Sequence, residues 1–240
     1  MATYVSLVNE VLRRLNEVQV DSAGDGFDTL RNVQALAKDA INSSIRRILQ
    51  DGQEWPFIKT TTTQTLTQGV TTYSFPSDYS SSDWDTYYIK QLSSEGNTPS
   101  VLKPMSHEAY TQTHRSTDDL APATGLGVPT QVFQTYGSTF GVTPVPNAAY
   151  EVEYTYWSSP TALNLYTDVS SIPDRFSHVV IDGAMMYMMQ FRSNAQSAAM
   201  HQEAFEDGVK AMRNVLMDDT FQMRSTYIVR TRQLTSAGIA

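Results

Sequence analysis

The 240-residue chain contains no cysteine. A disulfide framework, a thiolate nucleophile and a cysteine-ligated metal are therefore excluded, and the composition fits synthesis in a reducing compartment. No apolar run approaches the ~20 residues that a membrane helix needs. The opening MATYVSLVNEVLRRL lacks the basic start and pure apolar run of a signal peptide. Cationic charge is also scarce, with 17 Lys and Arg against 25 Asp and Glu and a formal net charge of −8. Nucleic-acid affinity comes largely from neutralising phosphates, so an acidic chain argues against tight binding to DNA or RNA.

What is present is globular. Hydrophobic residues make up 40% and charged residues 18% of the chain, enough to bury a sizeable core. The charge is uneven. Residues 1–50 balance, residues 51–174 carry thirteen acids against four bases, and the last twenty-one residues hold three Arg and no acid. The acidic middle suits a surface that does not hold phosphates, and the basic end suits an acidic protein surface.

Periodicity divides the chain further. Val5, Val8, Leu12 and Leu15 fall at helical spacing within residues 4–18. A longer helical pattern covers 27–52 through Leu30, Val33, Ala37, Ile41, Ile45 and Ile48, which predicts a helix of roughly 35–40 Å. From Trp55 the period changes. TTTTQTLTQGVTTYSFPSDY is Thr-rich, with Gln68-Gly69 as a hairpin signal between its halves. A second hairpin is expected about Gly137-Ser138, and a short helix at 106–115 capped by Ser106. YEVEYTYW alternates, with Tyr150, Val152, Tyr154 and Tyr156 on one face and Glu151, Glu153 and Thr155 on the other. Helical spacing returns after Pro173, in FSHVVIDGAMMYMMQFRS and then in AAMHQEAFEDGVKAMRNVL. There is no internal repeat. The expected fold is α+β: a four-helix bundle (1–57 and 173–222), an antiparallel β insertion (58–172) as a sheet or small sandwich between helices 2 and 3, and an extended C-terminal arm (223–240).

Chemistry is thin. His107, His114, His178 and His201 include no helical His-x-x-x-His pair, and surface or capping roles explain them. Asp118-Asp119 read as a solvated turn, and Glu151 and Glu153 as the wet face of an amphipathic strand. No catalytic, cofactor-binding or metal-ligating set emerges. Two features point instead to protein contacts. Met185, Met186, Met188 and Met189 lie on a helix apolar on nearly every side, which fits a central bundle helix, and Met also suits an adaptable subunit interface. In the tail, Tyr227, Ile228 and Val229 are candidate anchors, with Arg224, Arg230 and Arg232 as charge partners.

Several segments, in this order, resemble the head-to-tail adaptor proteins of tailed bacteriophages, which form a ring beneath the portal. They are the first helix YVSLVNEVLRRL, the junction at Trp55, the stretch ending YSFPSDY, the hairpin and Pro-x-Pro turn before YEVEYTYWSSPTAL, and IPDRFSHVVIDGAMMYM. The resemblance spans roughly residues 4–190. It implies a structural virion protein made in the bacterial cytoplasm, without enzymatic turnover or cofactor. It also implies a ring, usually of twelve copies, that contacts the portal, its own neighbours and tail or nozzle proteins. Double-stranded DNA would pass through without specific binding, and no membrane is involved. A tail-nozzle or head-completion protein is the alternative within this class. A glycan-binding module, using Trp84, Tyr87, Tyr88, Tyr136, Tyr154, Tyr156 and Trp157, is the alternative outside it.

Overall fold

The computed structural model describes residues 2–20, 27, 30–50, 54–90, 99–120 and 125–216. Six α-helices lie among them: α1 Tyr4–Arg14, α2 Val33–Leu49, α3 His107–Thr113, α4 Arg115–Asp119, α5 Ser177–Phe191 and α6 Ala195–Leu216. There are ten strands: β1 Lys59–Leu66, β2 Thr72–Ser74, β3 Tyr79–Ile89, β4 Ser100–Val101, β5 Lys103–Met105, β6 Leu126–Gly127, β7 Gln131–Gln134, β8 Thr139–Thr143, β9 Val145–Pro146 and β10 Tyr150–Ser158. The elements gather into two units, one of Thr3 with Leu49–Pro173 and one of Ala2, Tyr4–Ile48 and the chain from Asp174 onward.

The β-rich unit is organised by β10. Its alternation is borne out, because Tyr150, Val152, Tyr154 and Tyr156 are buried while Glu151, Glu153 and Thr155 are half-exposed. One four-stranded sheet has the order β1-β10-β3-β4, a second the order β2-β8-β7-β5, and β6 pairs β9 alone. The two larger sheets share a core. Leu66, Tyr87, Ile89, Val152 and Tyr154 come from the first, and Tyr73, Val132, Phe140 and Val142 from the second. Tyr87 stacks on Tyr154 with centroids 4.8 Å apart, and Phe140 meets Tyr154 edge-on at 5.4 Å. Such pairs add about 0.5–1.5 kcal/mol each beyond their buried area. The region is a small sandwich, although β5·β7 and β6·β9 are parallel pairs where an antiparallel sheet was expected.

The hairpin at Gln68-Gly69 is corrected. A turn is present, with Gly69 at φ 77° and Val70 N donating to the Thr67 carbonyl at 3.2 Å. Its two halves do not pair with each other, however: β1 joins β10 and β2 joins β8. The Tyr73 hydroxyl fills the turn, accepting from Thr67 N at 2.9 Å and lying 2.8 Å from the Val70 carbonyl. Gly69 N turns outward to the Pro146 carbonyl at 3.0 Å. The backbone groups of the turn are thus spent on other segments, and the chain crosses from one sheet to the other. The hairpin at Gly137 is as expected, with β7 and β8 antiparallel and Gly137 at φ 83°.

In the helical unit, α1 buries Tyr4, Leu7, Val8, Val11 and Leu12. It stops where Asn16 takes a left-handed conformation, φ 56°, a helix-terminating geometry that Asn tolerates. The Tyr4 hydroxyl donates to the Lys38 carbonyl at 2.8 Å and accepts from Asn42 at 2.9 Å, tying α1 to α2. Helix α2 is shorter than predicted. It starts at Val33, because Asn32 has φ 53°, and its 17 residues span about 25 Å. Helices α5 and α6 form a helical hairpin about Ser193, which has φ 56°; Asn194 caps α6 by accepting from Ser197 N at 3.1 Å. A Cβ on Gly183 of α5 would lie 2.2 Å from the Ser44 Oγ of α2 and 2.7 Å from the Phe205 ring of α6. Glycine lets the three helices approach this closely.

The α+β class holds; the four-helix bundle does not. Strands outnumber helices, and α3 and α4 belong to the β-rich unit. The longer helices are also unequal, from 11 residues in α1 to 22 in α6. Sheet pairing, not helix packing, organises the larger share of the described elements.

Candidate functional site

No set of three or more His, Asp or Glu residues able to hold a metal occurs among the described residues. The histidines are scattered. His114 caps the end of α3, His178 is exposed on α5, and His201 Nδ1 lies 3.7 Å from Asp182, which also pairs with Arg14 at 3.0 Å. Asp118 and Asp119 are not in a turn as expected but close the short helix α4. Asp118 is buried beside Tyr110, whose phenol is pushed up to about 12 by burial and then by the Asp118 charge. Glu151 and Glu153 share a sheet face with Lys90, which reaches Glu153 at 2.5 Å. That contact, together with the charge of Glu151, raises the lysine.

A surface cleft of about 660 Å³ is lined by Trp84, Pro104, Met105, His107, Tyr136 and Gly137 among others. Three local causes build it. Ser106 accepts from Ala109 N at 3.1 Å and so starts α3 beside the cleft. Tyr110 stacks on Phe133 at 3.8 Å and holds α3 against β7. The β7–β8 turn lifts Tyr136 into solvent, 87% exposed. His107 lies 4.9 Å from Tyr136, edge to face, and its Nδ1 is buried with no partner among the described residues. Ser106 Oγ is spent as a cap. Sequence reasoning named Trp84 and Tyr136 but missed Met105, Gln134 and Thr135, which only the crossing of β5 beside β7 brings together.

The predicted interface residues are placed in part. Met185 and Met186 are buried in the helical unit and Met189 is half-buried. The Met186 sulfur accepts from Arg47 at 3.5 Å. Arg224, Tyr227, Ile228, Val229, Arg230 and Arg232 lie outside the described residues. Of the aromatics suggested for sugar stacking, Tyr87, Tyr154 and Tyr156 are core residues, and burial raises all three phenols. Trp157 is half-buried under the Lys59 ammonium at 5.0 Å. Tyr88 and Tyr136 are the two exposed members of the set. No described helix is long and apolar enough to cross a membrane.

The model of the SU10 adaptor protein family matches residues 2–232. The chain belongs to the SU10 adaptor protein family. No curated protein matches it. The match runs beyond the segments that carried the resemblance to phage head-to-tail adaptors, and takes in residues 80–128 and most of the tail. Membership makes the chain a phage adaptor, a virion component that meets other head and tail proteins.

Proposed function

We propose that this adaptor is a structural ring component joining the portal to the tail and lining part of the DNA conduit. Twelve copies would close the ring through a heterologous interface, one face of each subunit against a different face of the next. The observation that carries this reading is the family match across residues 2–232. The acidic balance agrees with it, since net −8 limits retention of passing phosphates. The helical part contacts the portal, and the β-rich part faces outward or toward tail proteins. Met185 and Met186 serve the interior of the helical unit. The arm carrying Arg224, Tyr227, Ile228, Val229, Arg230 and Arg232 supplies contacts beyond it.

Co-sedimentation of the chain with purified portal tests the reading. The full chain should pellet with portal as a complex, and deletion of 223–240 should weaken that complex while leaving the circular dichroism spectrum intact. A full chain that stays in the supernatant at saturating portal overturns the assignment.

A further inference from the structure

The first sheet ends in an edge that is built to accept another strand. Strand β1 reads KTTTTQTL and pairs with β10 without a break, from Lys59↔Trp157 to Leu66↔Tyr150. It is the terminal strand of its sheet, so among the described residues its other side has no strand partner. Proteins normally blunt such an edge with proline, a bulge or several charges, because a row of open N–H and C=O groups recruits other chains. None of these protects β1. Its single charge, Lys59, is held by Asp83 at 2.8 Å and lies over the Trp157 ring.

The side chains around that edge define what fits it. On the solvent face, Thr63 is opposite Glu153 and Thr65 opposite Glu151, so two carboxylates two residues apart stand one strand in from the edge. Lys90 reaches Glu153. On the other face Thr60, Thr62 and Gln64 sit beside the buried Tyr156, Tyr154 and Val152, a polar margin to an apolar core. The tail segment Thr226–Gln233, TYIVRTRQ, has the complementary pattern. In an extended chain Ile228, Arg230 and Arg232 share one side and Tyr227, Val229 and Thr231 the other. Arg230 and Arg232 thus repeat the two-residue spacing of Glu151 and Glu153, and Tyr227 and Val229 would extend the core. Residues 217–240, beyond the described end of α6, provide reach on the order of 80 Å when extended.

We infer that the free edge of β1 accepts residues 226–233 from a second copy of the chain as an added strand. Backbone hydrogen bonds give the affinity, and the two Arg–Glu pairs select the face. The inference rests on the ring reading above and deepens it, by naming where the arm docks.

The absence of cysteine makes the test clean. Thr61→Cys, Thr63→Cys and Thr65→Cys are each mixed with Ile228→Cys, assembled with portal and oxidised mildly. A disulfide requires Cα atoms within about 7 Å, and mixing single-cysteine chains reports only links between copies. At least one mixture should give the disulfide dimer as its main product, while the exposed control Thr111→Cys gives a trace. Glu151→Lys with Glu153→Lys should abolish that link, and Arg230→Glu with Arg232→Glu in the partner copy should restore it. Assembled rings that give no link above control overturn the edge assignment while leaving the adaptor reading standing. Failure to assemble with portal at all defeats the adaptor reading first. A link that forms only within one chain, in Thr63→Cys/Ile228→Cys, also overturns the inference.

Discussion

Replacing Gly183 by alanine should destabilise the helical unit, and the structure sets the size of the effect. The new Cβ would lie 2.2 Å from Ser44 Oγ and 2.7 and 2.8 Å from two Phe205 ring carbons, all far inside contact distance. Inserting a methyl into a filled core costs about 1–3 kcal/mol. Alanine returns up to about 1 kcal/mol through its higher helix propensity. With contacts this close the cost lies in the upper part of that range, so the net expectation is about 1–2 kcal/mol of destabilisation, or a fall in Tm of roughly 2–8 °C at this chain length. Ser44 decides whether the reasoning is right. Its hydroxyl is fully buried and has no partner among the described residues, so Ser44→Ala alone should be neutral or stabilising by up to about 1 kcal/mol. Combined with Gly183→Ala it removes the closest clash and leaves the one with Phe205, so about half of the loss should return. Urea denaturation followed by far-ultraviolet circular dichroism, on all four chains of the cycle, measures the coupling. A Gly183→Ala chain with an unchanged midpoint, or a double variant no better than the single, would refute this three-helix contact.

Other expectations concern the β-rich unit and the Met cluster. Tyr87→Phe removes a buried 2.8 Å bond to Ser82 and should cost about 1 kcal/mol, read as a lower denaturant midpoint. Burial raises the phenols of Tyr110 and Tyr154 from 10.0 to about 12 and that of Tyr87 further. In the unfolded chain these groups lose protons first, so their contribution is intact below pH 10 and declines as pH rises toward 12. Their phenolate absorbance should therefore appear late and rise together with unfolding; early titration of every tyrosine would contradict the burial of these three. Met185→Asp places an unpaired charge at a site 3% exposed and should prevent soluble folding. A soluble, cooperative variant would mean that this helix face is open to water.

The sequence made some parts of this fold plain and others not. The alternation of Tyr150 to Tyr156 was decisive because one sheet face is dry and the other wet, and a period of two has no other cause. The Ser106 cap and the Gly137 turn were likewise local, each settled within a few residues. Partner choice was not local. Gln68-Gly69 is a turn by composition, but whether its arms pair with each other depends on β8 and β10, about seventy to eighty residues further along. Helix α2 was over-extended because apolar spacing continues through Leu30, while the left-handed Asn32 breaks the backbone without breaking the pattern. The cleft was half visible for the same reason: Trp84 and Tyr136 are aromatic contact candidates by type, but Met105 joins them only through a parallel pairing. The bundle expectation counted helical stripes, and stripes do not say how helices pack. Family membership was legible because it rests on the order of segments, and order survives errors about pairing.

Electron microscopy of the phage neck, with the chain located by an added tag, tests the central claim most directly. The account predicts a closed ring of this chain seated against the portal, coaxial with the DNA channel. Density for the tagged chain elsewhere in the particle, or none in the particle, would contradict it.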